Sequence, residues 1–387
     1  MTLHSPEMVD PVTLARALIQ APSVTPMDHG CQDLLIRHLE DLGFTVHRLR
    51  FGHVENFYAR LGTKGRNFAF AGHTDVVGPG DESRWTSGPF EAAVDDEGFI
   101  TGRGAVDMKG GLACMIAATA RFLTARPDFA QHDSLSFLIT GDEEGDAVDG
   151  TIKVLQWMDE QQEKMDYCLV GEPTSAGKLG DCIKNGRRGS VNGCLSIHGV
   201  QGHVAYPHLV DNPIHRGAPA LAAISTLVFD EGDDFFQPTS LQFTALQSGG
   251  TATNVVPGEL TAGFNIRFSA QHTPESLEAR IRQELDRCGV SYDLEMVTSG
   301  LPFITEGGPL VDAVKQTVAQ TTGMTPELST GGGTSDARFI SHHCDQTIEF
   351  GLVGNSMHKV DEKVPVADLE TLTEVYRRLL ENLYPPG

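Results

Sequence analysis

Positive charge is what this chain most lacks. Lys and Arg total 29 against 52 Asp and Glu, a formal net charge of −23 with His neutral. Nucleic acid and anionic membranes are gripped by clustered Lys and Arg, so neither is an expected partner. An anionic small molecule is not excluded, because local arginines can override the overall field. No apolar run is long enough to span a bilayer. The opening Met-Thr-Leu-His-Ser-Pro-Glu-Met shows neither the basic nor the apolar stretch of an export leader, and the expected compartment is the cytoplasm. Paired cysteines are missing too: the seven Cys are scattered with no C-x-x-C. That pattern fits reduced thiols rather than a disulfide framework. Cys114, Cys168 and Cys194 lie in apolar patterns and are expected to be buried. No strand-like run leads into G-x-G-x-x-G, which argues against a dinucleotide cofactor. Any metal must be held by His and carboxylates.

What is present points to an α/β chain of more than one domain, since 387 residues exceed one ordinary core. Asn67-Phe-Ala-Phe-Ala-Gly-His-Thr-Asp-Val-Val77 reads as a buried strand, Phe68 to Ala71, broken at Gly72. His73 and Asp75 follow at i and i+2, on one face if the chain stays extended. An imidazole with a neighbouring carboxylate suits a metal ligand and its orienting partner. The same grammar recurs twice. Ser134 to Thr140 reads as a buried strand running into Gly141-Asp-Glu143-Glu144, and Asp166 to Val170 runs into Gly171-Glu172. Adjacent acids at a buried strand end repel by about 1 kcal/mol in water and more at lower dielectric, so the turn is either a solvated acidic one or sits beside a cation. Repetition at one topological place would set these side chains along the carboxyl edge of a parallel sheet.

Other stretches add to the set. Gly102-Arg-Gly-Ala-Val-Asp107-Met-Lys-Gly-Gly111 places Asp107 in a turn before an Ala, Met and Leu-rich helix, Leu112 to Thr124. Alone, Asp107 reads equally as a helix cap. His358 lies in a polar loop before the terminal helix, Ala367 to Leu383. Helices are expected at Pro11 to Gln20, capped by Asp10, and at Cys31 to Leu42. Composition shifts near Gly180. From there a strand, helix, strand, strand, helix, strand order marks an inserted α+β domain, drawn at residues 183–297. It carries the basic turn Asn185-Gly-Arg187-Arg-Gly-Ser190 and a loop with His203 and His208. A Gly-rich turn, Gly331 to Ser335, opens a helix and can hold a carboxylate. His73, Asp107, Glu144, Glu172 and His358 offer more donors than one tetrahedral zinc needs, and two ions bridged by one carboxylate would use all five.

These motifs together resemble the dinuclear zinc aminoacylase/carboxypeptidase family, the M20 metallopeptidases. Ala-Gly-His73-Thr-Asp75, Gly-Arg-Gly-Ala-Val-Asp107-Met-Lys-Gly, Gly-Asp-Glu143-Glu144-Gly, Val-Gly-Glu172-Pro-Thr and Met-His358-Lys carry the likeness, in order, over nearly the whole chain. The resemblance implies a three-layer zinc-peptidase-like α/β catalytic domain at residues 1–182 and 298–387, with the insertion at 183–297 serving as lid and homodimer contact. It implies two divalent ions per subunit, Zn²⁺ or Co²⁺, bridged by Asp107. His73 and Glu172 would complete one site, Glu144 and His358 the other. Asp75 would orient His73, Glu143 would be the general base, and His203 of the other subunit would steady the oxyanion. A cis peptide is implied at Asp107–Met108.

Within the family the closer likeness implies hydrolysis of the succinyl amide of N-succinyl-LL-2,6-diaminopimelate, a tricarboxylate, with Arg187, Arg267, Thr334, Tyr206 and Asn254 as substrate contacts. Gly354 departs from a pattern that often has Asn there. Deacetylation of acetylornithine, or dipeptide hydrolysis, is the alternative, with the same metal residues.

Overall fold

The computed structural model describes residues 9–385; the leader reading concerned residues 1–8, which lie outside them. Among the described residues no helix is long and apolar enough to cross a membrane. The chain divides into two compact units. One takes the residues up to Asn185, then Thr305–Ser329 and the segment from Ser335 onward; the other takes Gly186–Ile304 and Thr330–Thr334. The expected borders at 183 and 297 shift because Gly186–Arg187 pairs antiparallel with Phe303–Ile304. The Gly-rich turn, expected in the catalytic part, goes with the second unit: Gly331 O accepts from Arg187 Nη1 at 3.2 Å and Thr330 Oγ1 donates to Phe235 O at 2.6 Å.

The first unit is built on an eight-stranded mixed sheet, in the order Thr45–Phe51, Val54–Leu61, Ser134–Thr140, Asn67–His73, Tyr167–Val170, Gln346–Glu349, Cys182–Lys184, Glu327–Ser329. The three strands singled out in the sequence are neighbours. Asn67–His73 lies between Ser134–Thr140 and Tyr167–Val170 and is parallel to both. Each of the three is buried at every residue. Such strands need cover on both faces, which is why small and apolar residues fill both sides of each rather than a polar face alternating with an apolar one. The helix Lys109–Ala125 is buried almost all round, as its Ala, Gly and Met content allows, and the helices Val366–Leu383 and Pro11–Gln20 pack on it. Asp10 caps Pro11–Gln20 through Thr13 N at 2.9 Å, as its sequence predicts.

The helix Lys109–Ala125 has Met108, not Asp107, at its N-cap, so the capping alternative for Asp107 is not realised. The Asp107–Met108 peptide is cis, as the resemblance implied. Three short strands that no periodicity foretold, Ala93–Val94, Phe99–Thr101 and Lys363–Pro365, form a sheet of their own. It brings the chain just after His358 alongside the chain just before Asp107, with Gly102 N donating to Glu362 O at 2.8 Å.

The second unit has the predicted strand and helix order. Its four long strands run Ser240–Ser248, Glu259–Phe268, Gly189–His198, Tyr292–Gly300, all antiparallel, a ferredoxin-like arrangement. One strand face, Val191, Leu195 and Ile197 with Leu260, Ala262, Phe264 and Ile266, meets Ala220, Ile224, Leu277, Ile281 and Leu285 of the two helices. Cys194 points to the other face of its strand and is exposed, against expectation, whereas Cys114 and Cys168 are buried. Strand alternation decides this, and an apolar composition around a Cys does not reveal it.

Candidate metal centre

His73 ends its strand, Glu143 and Glu144 follow Ser134–Thr140, and Glu172 follows Tyr167–Val170. Parallel neighbours in register, His73 beside Thr140 and Ala71 beside Val170, bring the three turns to one edge. The Glu172 turn lies close against Gly351. A Cβ on Gly351 would meet Glu172 O at 2.5 Å and Gly171 O at 2.6 Å, so only glycine fits there. Asp107 and His358 complete the cluster from their loops.

Asp107 stands between the two imidazoles. Its Oδ1 is 3.2 Å from His73 Nε2 and its Oδ2 is 3.1 Å from His358 Nε2. Glu172 Oε1 lies 3.8 Å from His73 Nε2, and Glu144 Oε1 lies 2.9 Å from His358 Nε2. Donor atoms of His73, Asp107 and Glu144 lie within 4.8 Å of one another, and so do those of His73, Glu143 and Glu172. His73 Nε2 and Asp107 Oδ1 are buried without a hydrogen-bond partner although they face each other. A buried polar pair left unbonded is costly, and a divalent cation between them would satisfy both. The donor set of two imidazoles and three carboxylates fits such ions, Zn²⁺ among them.

The electrostatics carry the same message. Burial acts against charge on His73, yet the carboxylates of Asp107, Glu172 and Glu143 outweigh it and hold its pKa well above the ordinary imidazole range. Asp107 and Glu144 push His358 up to about 10. Burial tends to raise Asp107, but the imidazoles of His358 and His73 hold it well below the usual carboxylate range. Burial, joined by the charges of Asp336, Glu144 and Asp107, pushes Glu143 up to about 8. Burial and the carboxylates of Asp107 and Glu143 also raise Glu172. Without cations this cluster keeps protons that isolated carboxylates would release.

Asp75 differs from the expectation. His73 Nδ1 meets the main-chain oxygen of Asp75 at 2.9 Å, while the nearer carboxylate oxygen is 3.6 Å away. The carboxylate instead accepts the amides of Glu143 at 3.2 Å and Glu144 at 3.0 Å. It ties the acidic turn to the His73 strand. Burial raises its pKa to about 6.

The remaining predicted residues lie in the second unit. His203, on the short strand Gly202–His203, is exposed and takes the Ala205 amide on Nδ1 at 3.1 Å. Tyr206, 55% exposed, has its ring 5.7 Å from that of His203, and Asn254 O accepts from Val204 N at 3.1 Å. These three form one group. Arg187 and the turn containing Thr334 form another. A Cβ on Gly332 would come within 2.8 Å of Arg187 Nη1, so the bare backbone there lets the turn approach the guanidinium. Arg267 pairs in register with Ser190 and donates Nε to Asn265 Oδ1 at 3.0 Å. Two residues at the metal cluster were not foreseen, Arg103 and Glu362. In sequence they look like solvated charges in polar turns, and only their burial marks them.

The chain belongs to peptidase family M20/M25/M40, whose profile matches residues 69–382. It is 84% identical over 379 residues to the succinyl-diaminopimelate desuccinylase of Magnetococcus marinus, covering 98% of this chain and 100% of that one. It is 52% identical to the enzyme of the same name from Hydrogenovibrio crunogenus, covering 97% and 99%. Among solved structures, the M20 family metallo-carboxypeptidase Sso-CP2 of Sulfolobus solfataricus superposes with a TM-score of 0.78 at 16% identity, covering 97% of this chain and 99% of that one, a likeness of fold.

Proposed function

We propose that this protein is a metal-dependent amide hydrolase that removes succinate from N-succinyl-LL-2,6-diaminopimelate to give LL-2,6-diaminopimelate in lysine and cell-wall synthesis. The observation that carries the hydrolytic reading is Asp107, with one carboxylate oxygen at each of two imidazoles. The substrate follows the desuccinylase relatives. His73 and Glu172 would hold one cation, Glu144 and His358 a second, and Asp107 would serve both. Held there, Zn²⁺ would supply a water of near-neutral pKa and a Lewis acid for the amide carbonyl.

The chain does the rest. Glu143, whose surroundings raise its pKa to about 8, takes a proton from the attacking water and returns it to the departing amine. His203, supplied by a second copy in a homodimer, donates to the oxyanion. Arg187, Arg267 and Thr334 hold substrate carboxylates, the planar guanidinium matching them in pairs, and Tyr206 and Asn254 border the same substrate. The cytoplasm is the compartment that suits its free thiols.

The test is hydrolysis by metal-stripped protein titrated with Zn²⁺, on N-succinyl-diaminopimelate and on N-acetylornithine. Activity that rises with zinc and prefers the succinylated substrate by orders of magnitude supports the proposal. Preference for the acetylated one would move the chain to the deacetylase branch, and no zinc-dependent hydrolysis at all would remove the enzymatic reading.

A further inference from the structure

Glu362 is fully buried, and its carboxylate collects four donors. Oε2 accepts from Arg103 Nη1 at 2.7 Å and from the Gly104 amide at 3.1 Å; Oε1 accepts from the amides of Val106 at 2.9 Å and Asp107 at 3.2 Å. The turn that ends in Asp107 is thus hung on one side chain. Arg103, itself buried, reaches the other way. Its Nη1 lies 3.3 Å from Lys359 O and its Nη2 lies 3.5 Å from His358 O, with the guanidinium 5.3 Å from the Trp85 ring centroid. One ion pair therefore joins the loop of Asp107 to the loop of His358.

The second loop needs such a hold. His358 and Asp361 have φ of +61° and +56°, a left-handed conformation that side chains other than glycine seldom adopt. Asp361 is fastened separately, its carboxylate taking Thr86 N and Thr86 Oγ1, each at 2.8 Å. Neither Arg103 nor Glu362 belongs to the donor clusters found among the described residues. A buried ion pair is weak evidence for net stability, because desolvation offsets its attraction. What this one supplies is geometry, since outer partners fix how ligands face a metal.

We propose that Arg103 and Glu362 are a positioning pair that sets the spacing between Asp107 and His358, and through it the spacing of the two cations. This rests on the two-ion reading above. The test uses Glu362→Gln and Arg103→Lys in the full chain, the second keeping the charge but losing the planar fork. Hydrogen exchange of the metal-free protein should quicken in both variants at Gly104 to Asp107 and at residues 356–361 together. Cobalt titration should show the second equivalent binding about tenfold or more weakly, with a shifted visible band, while far-ultraviolet dichroism stays at wild type.

Faster exchange in the Asp107 turn alone, or unchanged cobalt affinity and spectrum in a folded variant, would overturn the pair's positioning role. If Glu362→Gln fails to fold, Arg103→Lys decides. A wild type that takes up only one cobalt sinks the two-ion reading instead, and exchange in the two loops then judges the link between them.

Discussion

The imidazole of His73 is held by the main chain of Asp75, with Nδ1 and the Asp75 carbonyl oxygen 2.9 Å apart. A carbonyl only accepts, so Nδ1 carries the hydrogen and Nε2 is the atom left to face a cation. The side chain of Asp75 is released for another duty, gripping the amides of Glu143 and Glu144. Asp75→Asn should keep the carbonyl contact and two bound metal equivalents. It should cost about tenfold or more in kcat, because a single amide oxygen holds the acidic turn less firmly. Metal analysis alongside steady-state kinetics checks this; metal loss in step with activity would return Asp75 to the role of imidazole partner.

A carboxylate oxygen of Glu143 lies within 4.8 Å of donor atoms of His73 and Glu172, so ligand and base are both geometrically open to it. As a base its replacement should spare the metals. Glu143→Gln should lower kcat by about 10² to 10⁴-fold with both ions retained by elemental analysis. Release of an ion from this variant would make Glu143 a ligand.

Stripping the metals should loosen the fold, because clustered carboxylates then face one another and buried polar atoms of His73 and Asp107 stay unbonded. A cation that binds only the folded chain adds about 4 kcal/mol at a thousandfold excess over its dissociation constant. The melting temperature should therefore climb with added Zn²⁺ and fall with chelator. A midpoint indifferent to both would speak against a built metal site.

Within the terminal helix Val366–Leu383, Glu374 pairs with Arg377 three residues on, with contacts of 2.8 Å to each carboxylate oxygen, and with Arg378 four residues on. Arg377 above all, with Arg378, holds its pKa near 2 against a reference of 4.5. A depressed carboxylate adds stability that is complete above the reference value and is lost as pH falls toward the folded one. With solvent screening this amounts to about 1 kcal/mol. Glu374→Gln should therefore be less stable than wild type at neutral pH in denaturant unfolding, and the gap should narrow by pH 3. An equal gap at both would show that packing, not charge, is lost.

Much of the fold was legible because its signals are local. Buried central strands such as Phe68 to Ala71 and Ser134 to Thr140 are rich in apolar residues and buried throughout, and the helix Pro11–Gln20 matches its predicted limits. Two- and three-residue strands carry no period, so Phe99–Thr101 and Lys363–Pro365 were invisible, although their pairing sets Glu362 beside the Asp107 turn.

From the sequence alone came the residue types at the strand ends, hence the set from which candidate ligands are drawn, and the order of the long strands and helices of the second unit. Residue type and spacing follow from covalent order, and apolar periodicity follows from which faces must be dry. The tertiary structure alone decided that Asp107 spans two imidazoles rather than capping its helix, that Asp75 serves His73 through its carbonyl, and that Arg103 and Glu362 are buried partners. Those facts depend on distances between loops more than 200 residues apart in the chain, as between Asp107 and His358 or Arg103 and Glu362. Only the closing of the chain on itself sets such distances.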